Sequence, residues 1–233
     1  MPLKNIRSFL GRPMLTRTIE TLQSSGIFDR IIVSTDSEEI FEIALRSHGV
    51  EISSRNANLS QDKTNIIDVI ASEINVNGIS GDDYVCCVYA PNPFLHQSAL
   101  KLGLVCLLEN SEADYVTPVT TFPFPIQRSL KFQGERLLTM AESENLLVHS
   151  QNLEPRFHET AQFWWAKAKT WVQFKPMQQN LLGIYTPRWM SQDIDSLEDW
   201  EQAEIRWQIL KERGIFDTYE FDSSSIVTSN FAP

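Results

Sequence analysis

No stretch of this sequence approaches the roughly 18 consecutive apolar residues that cross a bilayer, and its first residues lack the pattern of a secretory leader. Positive charge is also scarce: 20 Lys and Arg stand against 30 Asp and Glu, a net charge of −10. No cluster of basic residues offsets that sum, which argues against a nucleic-acid binder, because such a surface repels phosphate backbones. One locally positive pocket for a small anion remains compatible with it. Cysteine is rare. Cys86, Cys87 and Cys106 are an odd number, set within predicted strands or helices, and read as small core hydrophobes rather than disulfides or metal ligands. These absences point to a reducing, cytoplasmic setting. Internal repeats and low-complexity blocks are missing too.

What is present is a core. At 233 residues and 42% hydrophobic, the chain supports one large α/β domain or a domain with a smaller appendage. Residues 1–12 read as loop. Pro13 suits the first helical position of a helix running to Ser25, with Gly26 past its end. Arg30 to Thr35 is short, continuous and β-branched, as expected of a strand buried on both faces. Asp36 is placed to cap the next helix, with Glu39 three residues on, and Gly49 closes it. Val50 to Ile52 predicts a strand, and 64–75 a helix through Ile66, Ile67, Ile70 and Ile74. Tyr84–Tyr89 predicts a strand, Ser98–Leu108 a helix, and Tyr115–Val119 another strand. This alternation predicts a mostly parallel sheet with helices on both faces. Ligands then bind beyond the carboxyl ends of the strands, where Asp36, Pro91 to Leu95 and Thr120-Thr121 fall.

The rhythm changes after residue 120. Residues 122–180 read as an excursion, a lid or partner-contacting arm. Trp164, Trp165 and Trp171 within it suit packing or a subunit interface. Leu182 to Tyr185 returns as a strand, a last helix carries Leu197, Trp200, Ala203, Trp207 and Leu210, and residues 217–233 read as a loosely held tail.

Between that strand and helix lies Ser191-Gln192-Asp193-Ile194-Asp195-Ser196-Leu197-Glu198-Asp199-Trp200. In extended backbone Asp193 and Asp195 point the same way and can aim both carboxylates at one Mg²⁺, with water and substrate phosphates completing the shell. A purely structural reading competes: Ser196 and Asp199 have capping-box spacing, and acids in a first turn favour the helix dipole.

Several words, in order, resemble one family. They are Lys4-Asn5-Ile6, Phe9-Leu10-Gly11-Arg12-Pro13-Met14, Ile31 to Asp36, Cys86 to Leu95, Phe122 to Arg128, Leu153-Glu154-Pro155 with His158, Gln162-Phe163, and Gln192-Asp193-Ile194-Asp195 through Trp200. The chain resembles the nonulosonic-acid cytidylyltransferases, which include the CMP-sialic acid synthetases, and most closely their pseudaminic acid branch. The resemblance implies a Rossmann-like nucleotide-diphospho-sugar transferase fold. It implies transfer of CMP from CTP to a nine-carbon 2-keto acid sugar with release of pyrophosphate, for cell-surface glycan synthesis. N-acetylneuraminate, legionaminate or KDO are the alternative acceptors.

By matching motif, Asp193 and Asp195 would hold Mg²⁺ and, with Lys4, act in catalysis. Lys4, Asn5, Arg55, Thr64, Tyr89 and Ala90 would form the nucleotide site. Gln127, Arg128, His158 and Gln162 would face the sugar, Arg128 pairing with its carboxylate in bidentate fashion. The family also implies a homodimer. Taken without it, Lys4 and Arg55 read as solvated charges and His158 as a structural hydrogen-bonding residue.

The sequence departs from the family at one end. The family places a central strand and a glycine-rich, arginine-containing loop ahead of the Pro-x-Lys-Asn, whereas here Met1-Pro2-Leu3 precede Lys4-Asn5. Neighbouring strands are therefore expected to be left with unpaired backbone. A start upstream of Met1 is the preferred expectation, and the 233-residue form is expected to be unstable or inactive. Thr160-Ala161 stand where Ala-Gly is usual and Ala166 where glycine is, differences that bear on which sugar fits. Two other classes compete: a glycosyltransferase with an Asp-x-Asp motif, disfavoured because only one helix follows the pair, and a non-catalytic scaffold, which would show no stabilisation by CTP and Mg²⁺.

Overall fold

A computed structural model describes residues 1, 3–60 and 64–229. Pro2 and the final residues 230–233 of the expected tail lie outside the described residues. The order of elements is β1 (Ser8–Phe9), β2 (Arg12–Pro13), α1 (Met14–Ser25), β3 (Ile32–Thr35), α2 (Glu38–Leu45), β4 (Glu51–Ser54), α3 (Ile66–Val76), β5 (Tyr84–Val88), α4 (Gln97–Glu109) and β6 (Tyr115–Thr121). Then come β7 (Leu130–Gln133), β8 (Leu137–Met140), β9 (Phe157–Glu159), β10 (Phe163–Lys167), α5 (Ala168–Val172), β11 (Leu181–Tyr185), α6 (Leu197–Glu212) and α7 (Ile215–Thr218).

Strand–helix alternation over the first half is as the periodicity predicts, with local shifts. Residues 1–12 include the short antiparallel pair β1–β2. Pro13 precedes α1 as its cap, and Gly26 closes it in the left-handed conformation at φ 67°. Ser37, not Asp36, caps α2, because its hydroxyl accepts from the Ile40 N–H. Gly49 sits beyond the helix end in a turn at φ 70° rather than on it.

The sheet corrects the expectation of mostly parallel pairing. β3 and β4 form a separate two-stranded parallel sheet, and in the five-stranded sheet β11–β6–β10–β5, to which β9 adds along β6, only β6 and β11 pair in parallel. Between β6 and β5, however, β10 enters antiparallel to both, and β9 runs antiparallel along the far end of β6. The chain reverses after residue 122 and threads back into the sheet, so its direction there is imposed by topology, not by local sequence. The excursion is correspondingly shorter than 122–180. Residues 157–185 build the core: Phe163, Trp165 and Ala166 are fully or nearly fully buried, as is Trp171 on α5. The part that projects is the β7–β8 hairpin and its flanks, where Phe124, Phe132 and Leu147 are exposed.

Two sides of the sheet are covered differently. Phe9, Phe94, Leu100, Phe163, Trp165, Ile184, Met190, Ile194 and Trp200 form the larger core, with Trp165 stacked on Phe28 at 5.3 Å and Phe9 edge-on to Trp200 at 5.5 Å. A second cluster joins Ile67, Ile70 and Ile74 of α3 to Tyr115, Trp164 and Trp171. The tail, expected to be loose, docks: Phe221 is buried, its N–H bonds the Ser98 hydroxyl, Ile226 bridges Ile184, and the Val227 N–H reaches the Gly183 carbonyl.

His96 joins that tail to α4. It is buried; its Nδ1 accepts from the Ser98 N–H as the cap of α4, which leaves Nε2–H to donate to the Phe216 carbonyl at 3.2 Å. Burial lowers its pKa, against the opposing pull of the Phe216 carbonyl, Glu220 and Asp217. The unfolded chain therefore binds more protons than the folded one below the ordinary histidine value of about 6.5. Stability is complete above that value and falls as pH drops toward the depressed folded value. The midpoint of urea unfolding should decline between pH 7.5 and 5, and the decline should be shallower in His96→Asn, which keeps a capping oxygen without the titrating ring.

Candidate active site

At the carboxyl ends of β3 and β5 the sheet opens into a cleft. Its rim carries Lys4, Asn5, Asp36, Arg55, Tyr89, Ala90, Glu159, Ala161, Asp193 and Asp195. The acidic loop 191–196 is pinned from beneath: Met190 and Ile194 are fully buried, and Gln162, itself buried, donates from Nε2 to the Met190 carbonyl at 2.7 Å. With Ile194 pointing inward, the alternation of extended backbone turns Asp193 and Asp195 outward, and both line the cleft.

Lys4 ties the N-terminal turn to this loop. Its Nζ donates to the Ile194 carbonyl at 2.8 Å and to Asp195 Oδ1 at 3.0 Å. The neighbouring helix start is a full capping box. Ser196 Oγ accepts from the Asp199 N–H, while the Asp199 carboxylate accepts from the Ser196 hydroxyl and from the Ser196 N–H; the hydroxyl first and the N–H next hold that carboxyl below its usual value. So the structural reading of Ser196 and Asp199 holds, and although the Asp195 N–H also bonds the Asp199 carboxylate, the side chains of Asp193 and Asp195 stay outside the cap. The two roles are divided along one loop.

Arg55 lies across the end of β3, donating from Nη2 to the Ser34 carbonyl at 2.7 Å and from Nε to its hydroxyl at 3.2 Å. Burial pushes the Tyr89 phenol upward, helped by Cys87, Glu159 and Asp193, so it remains a neutral hydroxyl beside the carboxylates. Thr64 is half-buried and does not line the cleft.

The four residues matched to the sugar side do not line the cleft. Gln127 is buried and donates to the Glu154 carbonyl at 2.7 Å, bracing the loop that carries it. Arg128, exposed, donates to the Val148 carbonyl. His158 is exposed on β9, its Nδ1 2.8 Å from the Glu159 carbonyl oxygen and its ring 4.8 Å from that of Phe122. Glu159 is a rim residue that carries no sequence signal of a role, and Ala161 is marked in the sequence only as a departure bearing on which sugar fits. Ala161 adopts φ 53°, and its N–H donates to the Glu159 carboxylate across the kink between β9 and β10. A non-glycine residue in that conformation is strained by about 1–2 kcal/mol, and the position is the one where the resemblance implies glycine.

The charges on the rim indicate what it can hold. Lys4 and Arg55 face Asp36, Glu159, Asp193 and Asp195, an excess of carboxylate that would repel a polyphosphate. Among the described residues no three His, Cys, Asp or Glu side chains form a metal cage. Two outward carboxylates with open surroundings fit a hard cation that keeps water and phosphate ligands, the usual habit of Mg²⁺.

The sequence model of the cytidylyltransferase family matches residues 1–212. This chain belongs to the cytidylyltransferase family. Pseudaminic acid cytidylyltransferase of Campylobacter jejuni is 31% identical over 215 residues, covering 90% of this chain and 91% of that protein. Among solved structures, CMP:2-keto-3-deoxy-manno-octonic acid synthetase complexed with CTP superposes with a TM-score of 0.55 at 14% identity, over 92% of this chain and 81% of that one. A 4-diphosphocytidyl-2C-methyl-D-erythritol synthase reaches 0.63 at 9% identity, over 88% and 94%. These structures share the fold, and the chain is an α/β cytidylyltransferase of Rossmann-like architecture. No helix among its described residues is long and apolar enough to cross a membrane.

Proposed function

We propose that this cytidylyltransferase transfers CMP from CTP to a nonulosonic acid, pseudaminic acid foremost, in the cytoplasm. The 31% identity to the Campylobacter jejuni pseudaminic acid enzyme over nearly the full length of both chains supports the acceptor class. The observation that carries the chemistry is the outward pair Asp193 and Asp195 on a rim with two cations. The acceptor's anomeric hydroxyl attacks the α-phosphorus of CTP, the bond from that phosphorus to the bridging oxygen breaks, and pyrophosphate leaves. Such a reaction asks the protein for positioning and charge balance.

Asp193 and Asp195 would hold Mg²⁺, which supplies charge neutralisation on the phosphates when bound. Lys4 fixes the loop that presents those carboxylates and adds a positive charge beside them. Asn5 and Arg55 offer donors to the phosphates, Arg55 by releasing Ser34, while Tyr89 and Ala90 border the nucleotide. Arg128 and His158 belong to the exposed edge that would meet the acid and the hydroxyls of the sugar, with Gln127 and Gln162 bracing the loops behind them. Exposed Phe124, Phe132 and Leu147 favour a homodimer in which each projecting arm is covered by the other subunit.

The test is an incubation with CTP, Mg²⁺ and, separately, pseudaminic, N-acetylneuraminic, legionaminic and 3-deoxy-manno-octulosonic acids. Mass spectrometry should find CMP-pseudaminate formed fastest with equimolar pyrophosphate. Faster turnover of another acid would overturn the acceptor assignment, and no pyrophosphate with any of them would overturn the reaction.

A further inference from the structure

For two carboxylates to meet one ion, the backbone that carries them has to be fixed at both ends. In the acidic loop both ends are tied to the same helix. The exit is the capping box of α6, in which Ser196 and Asp199 close on each other. The entry is the short turn Arg188–Met190, after which Ser191 takes up extended backbone at φ −117° and ψ 119°. Roughly three turns along α6 from its cap, Arg206 reaches back to this entry. Its Nη1 donates to the Ser191 carbonyl at 3.0 Å and, more weakly, to the Arg188 carbonyl at 3.5 Å.

Arg206 is half-buried, and burial lowers its pKa with no neighbouring carboxylate to offset the effect. An arginine stays cationic under such a shift. A cation drawn out of water usually meets a carboxylate; this one meets two main-chain carbonyls of a single turn. Charge-assisted bonds of that kind are about twice as strong as neutral ones. They set the plane of the peptide that opens the extended run, and the alternation along that run turns Asp193 and Asp195 toward the cleft.

The guanidinium carbon also lies 5.9 Å from the ring centroid of Phe94, which is buried just past β5. The chain leading into Phe94 carries Tyr89 and Ala90 on the rim. One side chain thereby joins α6, the entry of the acidic loop and the strand end beside it. Arg206 does not itself line the cleft, so it acts through the backbone and not on a substrate. Gln162 and Lys4 hold the Met190 and Ile194 carbonyls from other elements. Arg206 ties the entry to the helix that also ends the loop.

We propose that Arg206 is a positioning residue, which fixes the entry of the acidic loop so that Asp193 and Asp195 present their carboxylates to one hard cation. The proposal rests on the reading of that pair as the Mg²⁺ site of a cytidylyl transfer.

The experiment uses Arg206→Met in the full chain, which keeps the length of the stem and removes the donors. Leu210→Ala, one turn further along α6 at a buried apolar position with nothing to donate, serves as the control for lost stability. Deuterium uptake is followed first in the protein free of metal and nucleotide. Arg206→Met should exchange faster in the segment 187–196, where the Met190 and Ser191 N–H groups bond the carbonyls of Pro187 and Arg188, and Leu210→Ala should not. In turnover, the Mg²⁺ concentration for half-maximal rate should rise about tenfold or more in Arg206→Met, with KM for the acceptor acid within about twofold of the parent. Leu210→Ala should lower Tm and leave that Mg²⁺ concentration where it was. Should Arg206→Met not fold, Arg206→Gln is read in its place by the same criteria. Unchanged exchange in the segment, an unchanged Mg²⁺ requirement, or an equal rise of that requirement in Leu210→Ala would each overturn the proposal while the functional reading stood. A parent protein that turns over without any dependence on Mg²⁺, or not at all, would overturn the functional reading and the proposal with it.

Discussion

Asparagine in place of Asp193 or Asp195 is expected to lower kcat by on the order of 10³ or more while leaving Tm within a degree or two of the parent. Both side chains are exposed and sit outside the hydrogen bonds that cap α6, so the fold does not depend on their charge. The two variants should nevertheless differ. Asp195 also accepts from Lys4, and its loss frees that ammonium and loosens the tie between the N-terminal turn and the loop. Asp195→Asn should therefore raise KM for CTP as well as lower kcat, whereas Asp193→Asn should act chiefly on kcat. Steady-state kinetics with Mg²⁺ varied, beside thermal melts, separates these outcomes. Full activity in both variants would remove the metal-binding role, and a large fall in Tm would return the pair to a structural one.

The second large effect is on stability. Trp165→Ala should destabilise the protein by about 3–5 kcal/mol, as judged by urea unfolding. The indole is nearly fully buried in the one strand that runs antiparallel between β5 and β6, it donates to the Leu100 carbonyl at 3.1 Å, and it stacks on Phe28. Gly103 leaves it room, because a Cβ there would stand 2.7 Å from the Trp165 ring. Truncation removes the packing of two elements at once, and the surrounding backbone is held on both edges and cannot collapse. Trp165→Phe, which keeps an aromatic ring, should lose roughly half as much. A loss below 1 kcal/mol for alanine would mean that β10 is not the centre of the core.

Trp165 also marks where sequence reasoning reached its limit. Period and punctuation gave the early strands and helices, because each is a local property of Ile31–Thr35 or Ile66–Ile74. Gln162-Phe163-Trp164-Trp165 reads as a strand equally well, but nothing in it says that it pairs with both β5 and β6, or in which direction. Pairing of residues 49 to 83 positions apart is set by the topology of the whole chain. The tail was misread for a related reason: Ser223-Ser224-Ser225 looks like a loose segment, yet Phe221 and Ile226 on either side of it are anchored by α4 and β11.

The candidate site was legible to the extent that it followed backbone alternation. Asp193 and Asp195 face the cleft because Ile194 between them is apolar and buried, a pattern written in three letters. Lys4, Asn5, Arg55, Tyr89 and Ala90 came from the resemblance, and they share the rim. Glu159 and Ala161 reach it through a left-handed kink that alanine does not advertise. Gln127 and Gln162 are held by main-chain carbonyls of distant loops, a use of an amide side chain that no motif distinguishes from a substrate contact.

The account rests on the acidic pair coupling a divalent cation to the nucleotide. Calorimetric titration of CTP, with and without Mg²⁺, into the intact protein and into the Asp193→Asn/Asp195→Asn double variant measures that coupling apart from turnover. Mg²⁺ should tighten CTP binding about tenfold or more in the intact protein, equivalent to about 1.4 kcal/mol, and should give no such gain in the double variant. An equal gain in both would contradict the account.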